Sequence, residues 1–339
     1  MKTALYASAA VIALAAFGTP AAFAQSRDTI QVAGSSTVLP FASIVAEEFG
    51  AVFPEFKTPV VGSGGTGGGL KQFCEGVGEN TIDIANASRQ IKDSELEACT
   101  AAGVTDVREI QFGYDGIVFA SAASGPDFAL TPVQVFKAIA AKVPVDGAMV
   151  DNPYTKWSEI DASLPDQAIA LAIPGSNHGT REVFEEKVTN AGCEEAGLPE
   201  MTEEELEAAC TTFRQDVVVE IAGDYTETLA RLTSNTDTVG VFGLSFYEQN
   251  TDTLKVATVN GVVPSAEAVA AGEYPVSRPL FFYVKGQHIG VIPGIEEYVQ
   301  FFLSEQMSGA GGTLEAAGLI PQPAEKTAEV LAAFSAGAM

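Results

Sequence analysis

Short apolar runs and longer amphipathic stretches alternate along the chain. Brief runs rich in β-branched and aromatic residues are typical of strands, and apolar residues repeated at helical intervals predict helices. The pattern predicts strands over 29–33, 59–61, 81–87, 107–112, 116–121, 169–173, 217–221, 238–242, 254–259 and 280–284. It predicts helices over 38–49, 68–75, 94–101, 132–141, 180–190, 202–211, 295–304 and 312–317. Because strands and helices alternate, we expect an α/β fold.

The beginning of the chain has the pattern of an export signal. Lys2 supplies a positive charge, residues 4–17 are almost entirely apolar, and Ala22-Phe23-Ala24 matches the small-x-small rule for cleavage. The apolar run is shorter than the roughly 20 residues of a membrane span, which disfavours the alternative of an N-terminal anchor. We therefore expect cleavage after Ala24 and a soluble protein exported to the periplasm.

Cysteine usage agrees with an oxidising compartment. The chain has Cys74, Cys99, Cys193 and Cys210, which form two pairs close in sequence. Several connectivities are possible, and the local one, Cys74–Cys99 with Cys193–Cys210, gives each half of the chain one disulfide. A zinc site is the alternative, but the chain lacks the C-x-x-C spacing and has only two histidines. We therefore expect disulfides and no metal.

Length and charge limit the kinds of partner. The 339 residues suffice for two domains of ordinary size. The formal net charge of −26 makes nucleic acid and anionic membranes improbable partners, because both are negatively charged. The same charge repels small anions at long range. An anion would therefore need backbone N–H groups and a few buried basic residues at short range.

Three loops rich in Gly, Ser and Thr share one design. Residues 34–37, 62–67 and 174–181 each follow a predicted strand and precede a predicted helix. Helix N-termini offer unpaired N–H groups and a partial positive charge, and hydroxyl groups add donors that can rotate toward an oxygen. Each loop alone could be an ordinary helix cap. Together, with Arg89 and Arg181 near them in sequence, they favour one oxyanion site.

Other functions fit these loops less well. The second loop matches G-x-G-x-x-G, but only Asp83 is roughly placed to bind a dinucleotide ribose. A P-loop is excluded because Lys71 lacks a preceding Gly and is followed by Gln72. A serine hydrolase is disfavoured because G-x-S-x-G is missing, so His178 is better explained as a pocket residue than as a base. We expect no cofactor and no enzymatic activity.

A family resemblance covers residues 29 to about 320. The matching stretches occur in family order: GSSTVLPFASIVAEEF, GSGGTGGGLKQFCEG, DIANASRQI, GYDGIVFA, PGSNHGTREVF, VGVFGLSFY and SRPLFFYV. In these stretches the chain resembles the phosphate-binding proteins of bacterial phosphate ABC transporters. The resemblance implies a type II periplasmic binding fold, an α/β fold of two lobes joined by two crossing strands. Lobe one would comprise 25–113 plus 279–339, and lobe two 114–278.

The resemblance also implies a set of phosphate ligands. Thr37 and the Val38 backbone match the first loop's ligands, either Ser63 or Thr66 matches the second loop's serine, and residues 178–180 fall where the family often has Ser-Gly-Thr. Two departures matter. The better-known enteric members have Ser-Asp in the third motif, where this chain has Ser88-Arg89, and an Arg where it has Pro174. The candidate ligands are Ser36, Thr37, Val38, Ser63, Thr66, Arg89, Asp115, Ser176, His178, Gly179, Thr180 and Arg181.

Arg89 and Arg181 would then supply the positive charge, and another residue must supply the carboxylate. Phosphate keeps a proton at neutral pH and sulfate has none, so a buried acceptor would favour phosphate by roughly 10⁴ to 10⁵. Asp115, near the expected first lobe crossing, is the candidate. The alternative is that Asp115 is a turn residue bonded to its own backbone. Asp83 lies within a strand pattern and is better explained as structural.

The sequence thus predicts a monomeric, exported protein that binds inorganic phosphate and delivers it to a membrane-embedded ABC permease. Hinge closure would bury the anion between the lobes. Two alternatives stay open: a binder of another tetrahedral oxyanion, such as sulfate or molybdate, and an exported phosphatase. A phosphatase would need a metal cluster or an activated nucleophile, and the sequence shows neither.

Overall fold

The computed structural model describes residues 27–175, 179–222 and 225–337. The predicted signal peptide and two candidate ligands, Ser176 and His178, lie outside these ranges. Every helix that the model describes is too short or too polar to cross a lipid bilayer.

Fourteen strands occur in the described ranges. They are β1 (Gln31–Gly34), β2 (Val60–Ser63), β3 (Ile84–Ala87), β4 (Val107–Ala122), β5 (Ala129–Leu130), β6 (Lys142–Val145), β7 (Ala148–Asp151), β8 (Leu171–Pro174), β9 (Val218–Ile221), β10 (Val239–Gly243), β11 (Leu254–Val256), β12 (Thr258–Val259), β13 (Ser277–Lys285) and β14 (Ile320–Pro321). Most of the predicted strands coincide with these. The β6–β7 hairpin was not predicted.

Fourteen α-helices accompany the described strands. They are α1 (Leu39–Val52), α2 (Gly65–Phe73), α3 (Asp93–Ala101), α4 (Pro132–Ile139), α5 (Trp157–Ile160), α6 (Gly179–Phe184), α7 (Ala191–Glu195), α8 (Glu203–Thr211), α9 (Tyr225–Ser234), α10 (Leu244–Glu248), α11 (Ala266–Ala270), α12 (Ile295–Phe302), α13 (Thr313–Ala316) and α14 (Ala324–Ala336). A π-helical turn, Glu185–Asn190, joins α6 to α7.

One continuous sheet runs through both halves of the molecule in the order β2-β1-β3-β13-β4-β10-β8-β9, with β11 and β14 also paired to β4. In the first half, β1 is parallel to β2 and β3. In the second half, β8 is parallel to β9 and β10. The two parallel groups are separated by the antiparallel pair of β13 and β4.

The chain passes between the halves along β4 and β13. The first part of β4 pairs with β13, from Val107 to Gly116, and its last part pairs with β10 and β11. The predicted break between 107–112 and 116–121 is therefore wrong. The pairing with β13 only shifts register, because Leu280 lies opposite Gly113 and Phe281 opposite Gln111. Cross-strand pairing keeps the segment extended where glycines suggested a turn.

Each half has its own hydrophobic core. In the first half, α1 and α12 bury aromatic faces against the sheet, and Phe49, Phe112 and Phe302 are at most 1% exposed. In the second half, Trp157 and Phe242 lie at the centre of a separate cluster. Full burial of such a side chain contributes about 1.5 to 3 kcal/mol. The two clusters share no buried residue.

The predicted disulfides are confirmed. Cys74 at the end of α2 is bonded to Cys99 on α3, and Cys193 on α7 is bonded to Cys210 on α8. Each bond therefore joins neighbouring helices within one half. Loops of this length stabilise a fold by about 3 kcal/mol in the chain-entropy model.

Candidate functional site

Two oppositely charged side chains face each other where the crossing strands meet. Asp115 on β4 is the register partner of Arg278 on β13. Arg278 is 4% exposed and Asp115 is 8% exposed. Arg278 Nε lies 4.0 Å from Asp115 Oδ2, and neither atom has a hydrogen-bond partner within the described residues. Asp115 lies within β4, so it is a strand residue and not a turn residue.

Burial makes Asp115 an unusual carboxylate. Desolvation raises the pKa of Asp115 above its ordinary value, and the positive charge of Arg278 opposes this rise only in part. The negative charge of Glu182 pushes the pKa further upward. A carboxylate in such surroundings has an increased affinity for protons.

Thr37 joins this pair from the first Gly/Ser/Thr loop. Its hydroxyl accepts a hydrogen bond from Arg278 Nη2 at 2.8 Å and donates one to Glu182 Oε2 at 2.6 Å. The loop turns sharply at Gly34, whose φ is +142°. A Cβ at Gly34 would come within 2.2 Å of the Asn86 carbonyl oxygen, so only glycine lets β1 end this close to β3.

The second loop lies beside the first. The Gly64 N–H donates to the Gly34 carbonyl at 2.9 Å, which brings the start of α2 next to the start of α1. Thr66 is buried, and its hydroxyl lies 3.1 Å from the Ser88 hydroxyl and accepts from the Ser88 N–H. Ser63 is exposed. Of the two alternatives for this loop, Thr66 is the one in contact with the third motif.

The second half contributes Thr180 and a tyrosine that sequence reasoning missed. Thr180 Oγ1 lies 2.9 Å from the hydroxyl of Tyr225, the first residue of α9. Burial raises the pKa of Tyr225, and the negative charge of Asp115 adds to this rise. Tyr225 therefore stays a neutral hydroxyl close to the buried carboxylate.

Two glutamates from the second half also reach Arg278. Glu186 Oε2 accepts from Arg278 Nη1 at 2.6 Å, and Glu182 Oε2 lies 3.5 Å from Arg278 Nη2. Arg278 thus has three carboxylates around it, counting Asp115. Sequence reasoning identified neither glutamate, because an acidic residue is common on the exposed face of a helix.

The two predicted arginines have other partners. Arg89 makes two hydrogen bonds to Glu95, at 2.8 and 2.9 Å, and its side chain is 33% exposed. Arg181 bonds to Glu185 and to the Pro174 carbonyl oxygen, and lies over the ring of Phe213. The structure places Arg278, and neither Arg89 nor Arg181, in contact with Thr37.

The other candidates lie around this site at different depths. Ser36 is exposed, Val38 is fully buried, and Gly179 begins α6. Sequence reasoning missed Arg278, although it lies in the family-like stretch SRPLFFYV. The sequence signal for Arg278 is a cationic residue at the start of an apolar strand. Such a residue would be buried, and a buried arginine needs an anionic or hydrogen-bonding partner.

A buried ionic site between two α/β halves, at a pair of crossing strands, is the arrangement of a two-lobed binding protein of the type II fold. Comparison with known proteins agrees. Residues 19–306 match the model of the PBP superfamily domain. The chain is 31% identical to the SphX protein of Synechococcus elongatus, over 96% of this chain and 88% of the relative. The chain therefore belongs to the PBP superfamily.

Further similar proteins include phosphate-binding proteins. The chain is 29% identical to the phosphate-binding protein PstS of Staphylococcus epidermidis, over 86% of this chain and 78% of the relative. A solved structure from Planctomyces limnophilus, described as a possible phosphate binding protein, has a TM-score of 0.70 and 27% identity, over 91% of this chain and 98% of that one. The predicted α/β fold class and the family resemblance are both confirmed.

Proposed function

We propose that the protein binds inorganic phosphate between its two lobes and delivers it to an ABC permease. The observation that carries this proposal is the buried pair of Asp115 and Arg278, in which one acceptor and one donor have no hydrogen-bond partner among the described residues. Homology to PstS supports phosphate as the ligand.

The site residues suit the chemistry of hydrogenphosphate. The Arg278 guanidinium offers charge-assisted donors, and the hydroxyl groups of Thr37 and Thr66 offer neutral ones. Asp115 accepts the phosphate O–H. Sulfate has no proton at neutral pH, so its oxygens would face the lone pairs of Asp115. Because buried polar groups would be left unpaired with sulfate, the site should favour phosphate over sulfate by a factor of roughly 10⁴ to 10⁵.

Binding closes a hinge formed by β4 and β13. We assign 25–113 plus 279–339 to lobe one and 114–278 to lobe two, so that Asp115 and Arg278 lie at the boundary. A ligand that contacts this pair and also Thr37 and Thr180 would bridge both lobes. Such a ligand binds the closed form more tightly than the open form, so it would shift the equilibrium toward closure. Export through the N-terminal signal, with cleavage after Ala24, would bring the protein to the periplasm.

Two other activities predict different behaviour. A sulfate or molybdate binder would need no proton acceptor, so Asp115 would disfavour its ligand. A phosphatase would release phosphate from p-nitrophenyl phosphate, whereas a transport protein would bind phosphate and leave the ester intact.

Calorimetric titration tests the proposal. Purified protein freed of bound anion is titrated with phosphate, arsenate, sulfate and molybdate at neutral pH. We expect tight one-to-one binding of phosphate and no detectable heat from sulfate. Equal or tighter binding of sulfate or molybdate would contradict the assignment.

A further inference from the structure

Two of the groups assigned to phosphate, the Thr37 hydroxyl and the Arg278 guanidinium, already contact carboxylates of the protein itself. Glu182 Oε2 accepts from the Thr37 hydroxyl at 2.6 Å and lies 3.5 Å from Arg278 Nη2. Glu186 Oε2 accepts from Arg278 Nη1 at 2.6 Å. One carboxylate oxygen thus lies where donors from two elements converge, as a phosphate oxygen would.

Glu182 and phosphate compete for the same hydrogen. The Thr37 hydroxyl has a single proton, and it is donated to Glu182 Oε2. A phosphate oxygen that takes this hydrogen bond must displace the carboxylate. Electrostatic repulsion also favours displacement. The negatively charged Asp115, Glu182 and Glu186 surround one guanidinium and would repel a phosphate anion that binds there. A phosphate anion at this place is therefore favoured when the two glutamates leave.

Exposure separates these glutamates from the rest of the site. The side chains of Glu182 and Glu186 are 40% and 45% exposed, whereas those of Asp115 and Arg278 are 11% and 4% exposed. A half-exposed carboxylate can turn into water at low cost, since water replaces its hydrogen bonds. Asp115 and Arg278 are buried, so water cannot replace their contacts in this way.

The contact also spans the cleft. Thr37 follows β1 in the first half, and Glu182 lies on α6, which follows β8 in the second. The Thr37–Glu182 hydrogen bond therefore joins the two halves directly, beside the hinge strands.

We propose that Glu182 and Glu186 are an internal ligand that occupies the phosphate site and must be displaced by phosphate. This inference rests on the proposed function. Ligand-free protein would then be partly closed by its own carboxylates. Their contact reduces the apparent phosphate affinity in proportion to the fraction of protein in which the glutamates have left the site.

The test compares Glu182→Ala, Glu186→Ala and the double variant with the wild type, by calorimetric titration with inorganic phosphate. Glu227→Ala is the matched control, because Glu227 is an exposed carboxylate two residues beyond Tyr225 on α9. We expect the double variant to bind phosphate about tenfold more tightly, which corresponds to about 1.4 kcal/mol. The control should match the wild type. Glu182→Gln, which removes only the charge, provides a second variant if alanine impairs folding.

A ligand-free measurement separates displacement from simple repulsion. Small-angle scattering without phosphate should show a larger radius of gyration for Glu182→Ala than for wild type, and the same radius for both when phosphate is saturating. Unchanged or weaker phosphate binding in both alanine variants, beside a wild type that binds phosphate, would overturn the internal ligand alone. If neither wild type nor variants bind phosphate, the proposed function itself fails.

Discussion

Strand β13 carries a buried ionic cluster near each end, and the two differ in how fully their atoms are paired. The hinge cluster consists of Asp115, Arg278 and Thr37. The basal cluster consists of Asp83 with Arg27, Lys285 and His288. Both bury carboxylates and cations. Only the hinge cluster leaves a carboxylate oxygen and a guanidinium N–H without a hydrogen-bond partner among the described residues.

Asp83 in the basal cluster is saturated. Each of its oxygens accepts a hydrogen bond from one terminal nitrogen of Arg27 at 2.7 Å. Oδ2 also accepts from the Gln31 N–H at 2.7 Å, and Oδ1 lies 2.6 Å from His288 Nδ1. Burial alone would raise the pKa of Asp83, but the hydrogen bonds from His288 and Arg27 outweigh it and lower the pKa.

Lys285 belongs to the same cluster and makes two hydrogen bonds. Its ammonium group donates to the Gly76 carbonyl oxygen at 2.6 Å and to the Thr81 hydroxyl at 2.7 Å. The basal cluster therefore fastens the segment after Cys74 to the end of β13. The hydrogen bonds to both Asp83 oxygens are typical of a structural ion cluster, whereas the incomplete pairing and raised pKa of Asp115 support the proposal that the hinge cluster binds the ligand.

Replacing Asp83 should give the largest effect, on stability. Asp83→Ala leaves Arg27 and His288 facing no carboxylate, and removing one partner of a buried ion pair costs about 3 to 5 kcal/mol. Chemical denaturation should show this loss of unfolding free energy. Phosphate affinity, measured where the variant is still folded, should stay near the wild-type value. If Asp83→Ala is as stable as the wild type but binds phosphate more weakly, then the basal cluster has a binding role and not a structural one.

Replacing Arg278 should instead abolish most of the binding. Arg278→Met removes the charge-assisted donors to a buried anion, which should weaken phosphate binding by about 2 to 5 kcal/mol. Arg231→Met, an exposed arginine on α9, is the matched control. Calorimetry measures both. If Arg278→Met retains wild-type affinity while Arg89→Met or Arg181→Met loses it, the site lies closer to the originally predicted arginines.

Asp115→Asn should change selectivity more than affinity. An amide can turn its N–H toward an unprotonated oxygen, so sulfate should begin to compete with phosphate. The selectivity ratio should fall by at least about tenfold, or about 1.4 kcal/mol. Competition titration measures this ratio. Normal phosphate binding with sulfate still excluded would show that another group accepts the phosphate proton.

The same variant predicts a pH dependence of stability. Asp115 has a raised pKa when folded, so the cost of burying its charge is absent below the ordinary value of 3.8 and fully present above the folded pKa. Ligand-free Asp115→Asn should therefore be more stable than wild type at neutral pH. This advantage should shrink as pH falls toward 4, as thermal melts across the range would show.

The titration of Lys285 should have no effect on stability at neutral pH and a growing effect above about pH 8. Burial lowers its pKa from 10.5 to about 8, so the unfolded chain binds more protons between these values. Wild-type stability should therefore rise relative to Lys285→Met as pH increases above about 8, by at most about 1.4 kcal/mol per pH unit. Denaturation of both proteins from pH 7 to 10 measures this difference. A constant difference across the range would show that the buried amine does not titrate there.

Local sequence patterns determined much of this protein. Apolar periodicity located most strands and helices, because burying one face of an element leaves a repeat that can be counted. The local pairing of the four cysteines, one of several possible connectivities, was predicted correctly, since each pair bridges helices close in sequence. The Gly/Ser/Thr loops were visible because a strand that ends at a helix N-terminus needs small residues, as Gly34 demonstrates.

Tertiary structure decided what the local patterns left open. Gly113 and Gly116 suggested a turn at Asp115, and pairing with β13 and β14, both distant in sequence, keeps that segment extended. The pairing with β13 places Arg278 opposite Asp115, a relation with no local signature. The contacts of Glu182 and Glu186 likewise depend on how the two halves meet. Which charged side chains are neighbours in the buried site depends on the register between strands that are distant in sequence. The sequence alone therefore identified the loops but not Arg278.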